Sequence, residues 1–353
     1  MIIKNNFLPY THKEINVEVF IFPITGLLIG DNNSISVGNI DFVDKVYLKD
    51  NIKDITLSYI ISQSGRYNDI ETFAIVDLNK FGDHENLCKG GNNSLALQLL
   101  KQVIGAIYLS IYNKYKPQYD IEKRIVISDK GVHEVDEGLN DYIFFNNYEY
   151  VNIIKNNAVD LIADINNFYI ENISELNTIM KKKLKQRSEL ESKICKSLEI
   201  IYSVYSEPYT VERVIKFSII LNYIFKEYDE QKIDSPDIGR KIRILFNIIS
   251  KNHILETIPE YMYTKGKKTK KISDVVIDIY TRIRNDIMHG KIDLYEEYAI
   301  INLEDYIPLK VIVMELINII VNTKDIILCK DTKDMNKYIE NREKEIADIK
   351  RNK

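Results

Sequence analysis

The sequence predicts an α+β protein in two domains. An N-terminal α/β domain with a mixed sheet covers residues 1–150, and an all-α helical domain with a charged C-terminal tail covers 151–353. Three observations carry this expectation. Apolar and β-branched runs punctuated by glycine fill the first part. Apolar residues at helical spacing fill the second. The chain of 353 residues is also longer than one hydrophobic core usually grows.

In the first domain, strands are expected at Val17–Ile24, Ser34–Val43, Thr56–Ile61 and Glu71–Leu78, with Gly26, Gly30, Gly38, Gly65 and Gly82 between or within them. Asp31-Asn32-Asn33 suits a tight turn. After Gly90-Gly91, Ser94 can cap a helix running to about Lys114, whose positions Leu95, Leu99, Val103, Ala106 and Leu109 share one face. Pro117 stops it, and Arg124–Ser128 reads as a further strand.

In the second domain, Ile154, Ala158, Leu161, Ile165 and Phe168 alternate spacings of four and three, an amphipathic helical stripe. One long helix is expected over Ser174–Tyr205, with the basic run Lys181–Arg187 on its wet side, and another from Thr210 with Val214, Phe217, Leu221 and Phe225 in register. Ser235-Pro236 is a start signal, continued by Ile238, Ile242, Leu245 and Ile249. Further helices are expected over Ile272–His289 and Asp305–Leu328, and the tail from Lys330 reads as a solvated or frayed helix.

Composition excludes several classes. Hydrophobic residues at 45% and charged residues at 28% belong to a folded globular chain. A net charge of -4 leaves no global polycation, so any nucleic acid must be met by local basic clusters. Cys88, Cys195 and Cys329 are too scattered for a zinc site or a disulfide framework, which points to a reducing, cytoplasmic setting. The charged residues His12, Lys13, Glu14 and Glu18 argue against a signal peptide. The apolar run Leu309–Val321 is short for a bilayer and contains Glu315, so no membrane is expected. Asp83-His84-Glu85 and His133-Glu134-x-Asp136-Glu137 hold metal-ligand residue types, but sequence neighbours rarely converge on one ion, and neither a metal nor a cofactor is expected. Gly90-Gly91 lacks the lysine and serine of a phosphate loop, and His12 and His253 have no visible partners.

The informative stretch runs from Tyr280 to Gly290 and includes Arg284, Asn285 and His289. At about 100° per residue, Ile272, Val276, Ile279, Ile283 and Ile287 fall within about 80° and face a core. Asn285 and His289, four apart, lie side by side on the opposite face. Arg284 points to the flank, near the apolar seam Ile277, Thr281 and Met288, which a partner subunit could use. Gly290 is the expected left-handed residue past the helix end, so His289 sits in the last turn, where the helix dipole favours its protonated form. A guanidinium that can hold two phosphate oxygens beside an imidazole that can move a proton suits a phosphodiester. An Arg and a His at this spacing also occur by chance, and His before a terminal Gly is common capping, so spacing alone leaves a packing role open.

Arg284-Asn285-x-x-x-His289-Gly290, with Tyr280 one turn earlier, resembles the signature of the HEPN superfamily, in particular its ApeA-like branch. The resemblance covers roughly residues 190–330 and does not reach the first 150. It implies a compact antiparallel helix bundle and a metal-independent RNA endonuclease acting as a homodimer through paired motif helices. His289 would handle protons for attack of the ribose 2′-hydroxyl on the adjacent phosphate. Arg284 would stabilise charge on the phosphoryl oxygens, and Asn285 would orient His289 or the phosphate. Because Arg284 and His289 diverge by about 140° on one helix, two protomers would complete the site. Some members of the family have lost activity.

Lys265, Lys267, Lys268, Lys270 and Lys271 precede the motif helix, with Tyr261 and Tyr263 before them. With Tyr280 they are candidates for binding RNA by phosphate neutralisation and base stacking, although a solvated loop would look the same. The leading expectation is thus a ribonuclease acting on tRNA or mRNA in antiphage defence of the abortive-infection type, with the first domain sensing or restraining it. A catalytically silent bundle that binds RNA or a partner and dimerises is the alternative. A third reading places the function in the first domain, as a site for an unknown ligand or a foreign protein.

Overall fold

The computed structural model describes residues 19–29, 34–44, 46–47, 72–82, 91–115, 125–127, 133–134, 163–165, 171–207, 210–228, 234–249 and 303–351. The chain divides into two compact units, Met1–Lys114 with Asp120–Gln186 and Tyr115–Tyr119 with Arg187–Lys353. The division falls after Gln186, later than the boundary expected near residue 150. The architecture is α+β.

The first unit is built on strands β1 (Val19–Thr25), β3 (Ser34–Val37), β4 (Ile40–Asp44), β5 (Thr72–Asp77), β6 (Val126–Ile127) and β7 (His133–Glu134). Their order is β3-β4-β5-β1, with β6 and β7 both along the outer side of β1, and every pairing is antiparallel. The expected mixed sheet is therefore corrected. The parallel pairing among the described residues is confined to a separate two-stranded sheet of β2 (Leu27–Ile29) and β8 (Ala163–Ile165). Strand β8 also overturns part of the helical stripe expected over Ile154–Phe168: Ile165, one of its positions, lies in a strand paired with Ile29 of β2. The proposed strand at Thr56–Ile61 lies outside the described residues.

The single run expected over Ser34–Val43 is in fact a hairpin, turned at Gly38 with φ of +61°. Gly26, at φ +77°, turns the chain from β1 into β2. Phe20, Ile21, Phe22 and Ile24 of β1 and Phe73, Ala74, Ile75 and Val76 of β5 are all buried, so both faces of the central strands are covered. Helix α1 (Gly91–Tyr115) begins at Gly91, three residues before the expected cap Ser94. Its expected face is buried throughout, and so are Leu100, Ile104, Ile107 and Tyr108, which makes it a core helix. Tyr108 ties it to the residue before β6, its hydroxyl accepting from the Ile125 N–H at 2.6 Å. Among the described residues, Ser94–Lys114 is long and apolar enough to cross a membrane by length and composition only.

Helix α2 (Ser174–Lys181) completes the first unit. It docks Leu176, Ile179 and Met180 inward, and Asn177 Oδ1 accepts from the Gly38 N–H at 2.6 Å. A Cβ on Gly38 would lie 2.9 Å from Met180 Cβ, so only glycine permits this approach.

The long helix expected over Ser174–Tyr205 is two helices. After α2 the chain leaves helical geometry at Lys182, passes a short 3-10 turn at Leu184–Gln186, and restarts as α3 (Glu189–Tyr205). Ser188 and Glu191 form a reciprocal capping box at the restart, the Glu191 N–H donating to Ser188 Oγ at 3.1 Å and the Ser188 N–H to Glu191 Oε2 at 2.9 Å.

The second unit contains α3, α4 (Thr210–Phe225), α5 (Ser235–Ile249), α6 (Leu303–Asn322), α7 (Lys324–Ile327) and α8 (Thr332–Arg351). Helix α4 is central, packed against α3, α5, α6 and α8, with Val214, Phe217, Leu221 and Phe225 fully buried as their register predicts. Helices α3 and α4 run antiparallel. Lys193, early in α3, donates to the Lys226 carbonyl beyond the end of α4, while Lys216, early in α4, donates to the Ser203 carbonyl near the end of α3. The helix expected over Asp305–Leu328 stops at Asn322 and restarts after Thr323 as the single turn α7. The charged tail is a full helix, α8, started by Asp331, whose Oδ1 accepts from the Asp334 N–H at 2.8 Å, and seated by buried Met335, Asn336 and Ile339.

Candidate functional site

The motif residues Arg284, Asn285 and His289 lie outside the described residues. So do Lys265, Lys267, Lys268, Lys270, Lys271 and Tyr280 of the expected RNA-binding set, and the metal-type cluster Asp83-His84-Glu85. What the structure places is the frame on either side of the motif segment. The segment leaves from α5 and returns into α6, and these two helices pack against each other as well as against α4.

The frame is held by polar groups that sequence reasoning did not single out. Lys193 is buried, with its ammonium 2.6 Å from the Lys226 carbonyl and 3.0 Å from Glu189 Oε1, and it also donates to the buried Thr332 hydroxyl. One cation thereby joins the start of α3, the end of α4 and the start of α8. It also lies 5.7 Å from the centre of the Tyr223 ring. Burial first, and then the negative charges of Glu189 and Glu199, push the Tyr223 phenol up, so it stays protonated across the neutral range. Nothing in the sequence pattern marks Lys193, because its partners come from three separate helices.

Asp237, in the first turn of α5, accepts from Arg240 at 2.8 Å and from Lys241 at 2.8 Å. Burial opposes its ionisation, but the hydrogen bonds and charges of Lys241 and Arg240 outweigh that and hold the carboxyl below the usual carboxylate range. Arg240 continues to Glu343 on α8, which also meets Arg243 at 3.6 Å. This network clamps α5, the helix that leads into the motif segment, onto the C-terminal helix.

These groups are committed to structure rather than to chemistry. Burial pushes the Cys195 thiol up, so it is not a thiolate at neutral pH. Among the described residues no group of three or more His, Cys, Asp or Glu side chains is placed to hold a metal ion. His133 and Glu134, candidates of that type in the sequence, form strand β7 beside Ile21 and Phe20. Of the five histidines in the chain, His133 alone belongs to the described residues. Comparison with protein-family models, curated proteins and solved structures finds no match for this chain.

Proposed function

We propose that the chain is a metal-independent RNA endonuclease of the HEPN type, acting in the cytoplasm on tRNA or mRNA as an antiphage effector. The observation that carries the reading is the Arg284-Asn285-x-x-x-His289-Gly290 motif. Its setting supports it: the segment is anchored at both ends in one helical unit, between two helices that pack together. In this reading His289 moves the proton of the 2′-hydroxyl as that oxygen attacks the adjacent phosphorus. Arg284 neutralises charge growing on the non-bridging oxygens, and Asn285 orients the imidazole or the phosphate. The P–O5′ bond breaks, leaving a 2′,3′-cyclic phosphate and a 5′-hydroxyl. Two motif helices, one from each protomer of a homodimer, bring the diverging Arg284 and His289 side chains onto one phosphate. The first unit senses or restrains this activity.

Incubation of the purified full chain with tRNA and with unstructured RNA, in the presence of a chelator, tests the reading. Cleavage by wild type is expected, with His289→Ala reducing the rate about 10²- to 10⁴-fold and Arg284→Ala about 10²- to 10³-fold. RNA cut equally by wild type and His289→Ala, or left intact by both under conditions that relieve restraint, would remove the catalytic assignment.

A further inference from the structure

We propose that the C-terminal half of α8, residues 340–351, is a releasable strap, held on α5 by the Glu343 carboxylate, that opens while the rest of the second unit stays folded. The proposal goes beyond the ribonuclease reading and does not depend on it.

The two halves of α8 are attached in different ways. The first is built into the unit. Thr332, Met335, Asn336 and Ile339 are buried. Lys193 donates to the Thr332 hydroxyl, and Asn336 Nδ2 donates to Glu227 Oε1 at 2.8 Å and to the Phe225 carbonyl at 3.4 Å. Beyond Ile339 no described side chain is buried: Arg342, Glu343 and Ile346 are half-buried and the others are exposed.

What joins this second half to another element is charge. Glu343 Oε2 accepts from Arg240, and Glu343 Oε1 lies 3.6 Å from Arg243, one turn further along α5. Among the described residues, these are the ion pairs that connect residues 340–351 to another element. The others, Arg342 with Glu345 and Arg351 with Asp348, lie within α8 itself. The fork reaches solvent, the Arg243 side chain being 52% exposed and that of Glu343 36%. Ion pairs in such a setting contribute little and are screened by salt. A helical piece of this length is marginal in water once undocked, so release and melting go together, and the break falls after Ile339. Sparse apolar burial and solvent-reaching contacts are what let a segment open locally, well below the free energy of global unfolding.

The fork sits where opening has a consequence. Arg240 also holds Asp237 in the first turn of α5, so it keeps a carboxylate when Glu343 leaves. Arg243 pairs with Glu343 among the described residues, and opening uncovers it. The strap therefore bares a guanidinium on the helix that leads into the motif segment, while the start of that helix stays pinned.

Hydrogen exchange of the full chain, followed by mass spectrometry, tests the strap. In wild type at low salt, residues 343–351 are expected to exchange faster than α4. Glu343→Gln should speed their exchange about two- to fivefold, the ratio that a surface ion pair of this kind gives, and leave α3 and α4 unchanged. Added potassium chloride should do the same to wild type and little to Glu343→Gln. Lys344→Gln removes a neighbouring exposed charge that makes no ion pair among the described residues, and should leave exchange as it is. The proposal is overturned if residues 343–351 exchange as slowly as α4, if Glu343→Gln does not alter their rate, or if Lys344→Gln has the same effect.

Discussion

Gly38 and Lys193 show how single residues hold each unit. At Gly38 a positive φ of +61° coincides with a Met180 contact that leaves no space for a Cβ. Gly38→Ala is expected to cost about 1–3 kcal/mol, read as a lower denaturant midpoint. Gly38 was visible in the sequence as punctuation within an apolar run. That it receives α2 was not, because Asn177 and Met180 lie far away along the chain and carry no local signal. Lys193 is hidden for the same reason. Lys193→Met would leave the Lys226 carbonyl and the Thr332 hydroxyl short of a donor, at about 1–3 kcal/mol. Arg351→Met, which removes a pair with Asp348 that is exposed on both sides, should change stability by less than about 1 kcal/mol. Similar losses for the two variants in chemical denaturation would contradict the role given to Lys193.

Elements, more than single contacts, decide where the units divide. Ser188-Glu189-Leu190-Glu191 has the spacing of a capping box, so the restart at α3 was legible locally, although one continuous helix was expected over Ser174–Tyr205. Ser188→Ala is expected to cost about 1 kcal/mol, measured by urea unfolding. The helices of the second unit were the most legible part, since their apolar stripes satisfy one period only and their start signals are strong. Strand β8 was the least, because it is only three residues long and its pairing partner, β2, lies far away along the chain. The clamp between α5 and α8 makes a pH prediction. Asp237 ionises more readily folded than unfolded, so its stabilising contribution is complete above the usual carboxylate range. That contribution is lost as pH falls through the lowered folded value. The stability gap between wild type and Asp237→Asn should therefore be constant at neutral pH and close in acid, as followed by unfolding at a series of pH values. A gap that widens in acid would reverse the assignment.

For the molecule as a whole, fold and chemistry were legible to different degrees. The α+β character followed from composition and periodicity. The candidate site was read entirely from a short motif in the segment between α5 and α6, and its chemistry rests on two ionisable side chains rather than on any feature of the frame. Cleavage through a 2′-hydroxyl leaves ends that hydrolysis by a metal-activated water does not. The most direct test is therefore the terminal chemistry of RNA fragments produced by the full chain in chelator. The account predicts 5′-hydroxyl ends that a polynucleotide kinase labels without prior dephosphorylation, matched by 2′,3′-cyclic phosphates and absent with His289→Ala. Fragments carrying 5′-phosphates, or the same fragments from the His289→Ala protein, would contradict it.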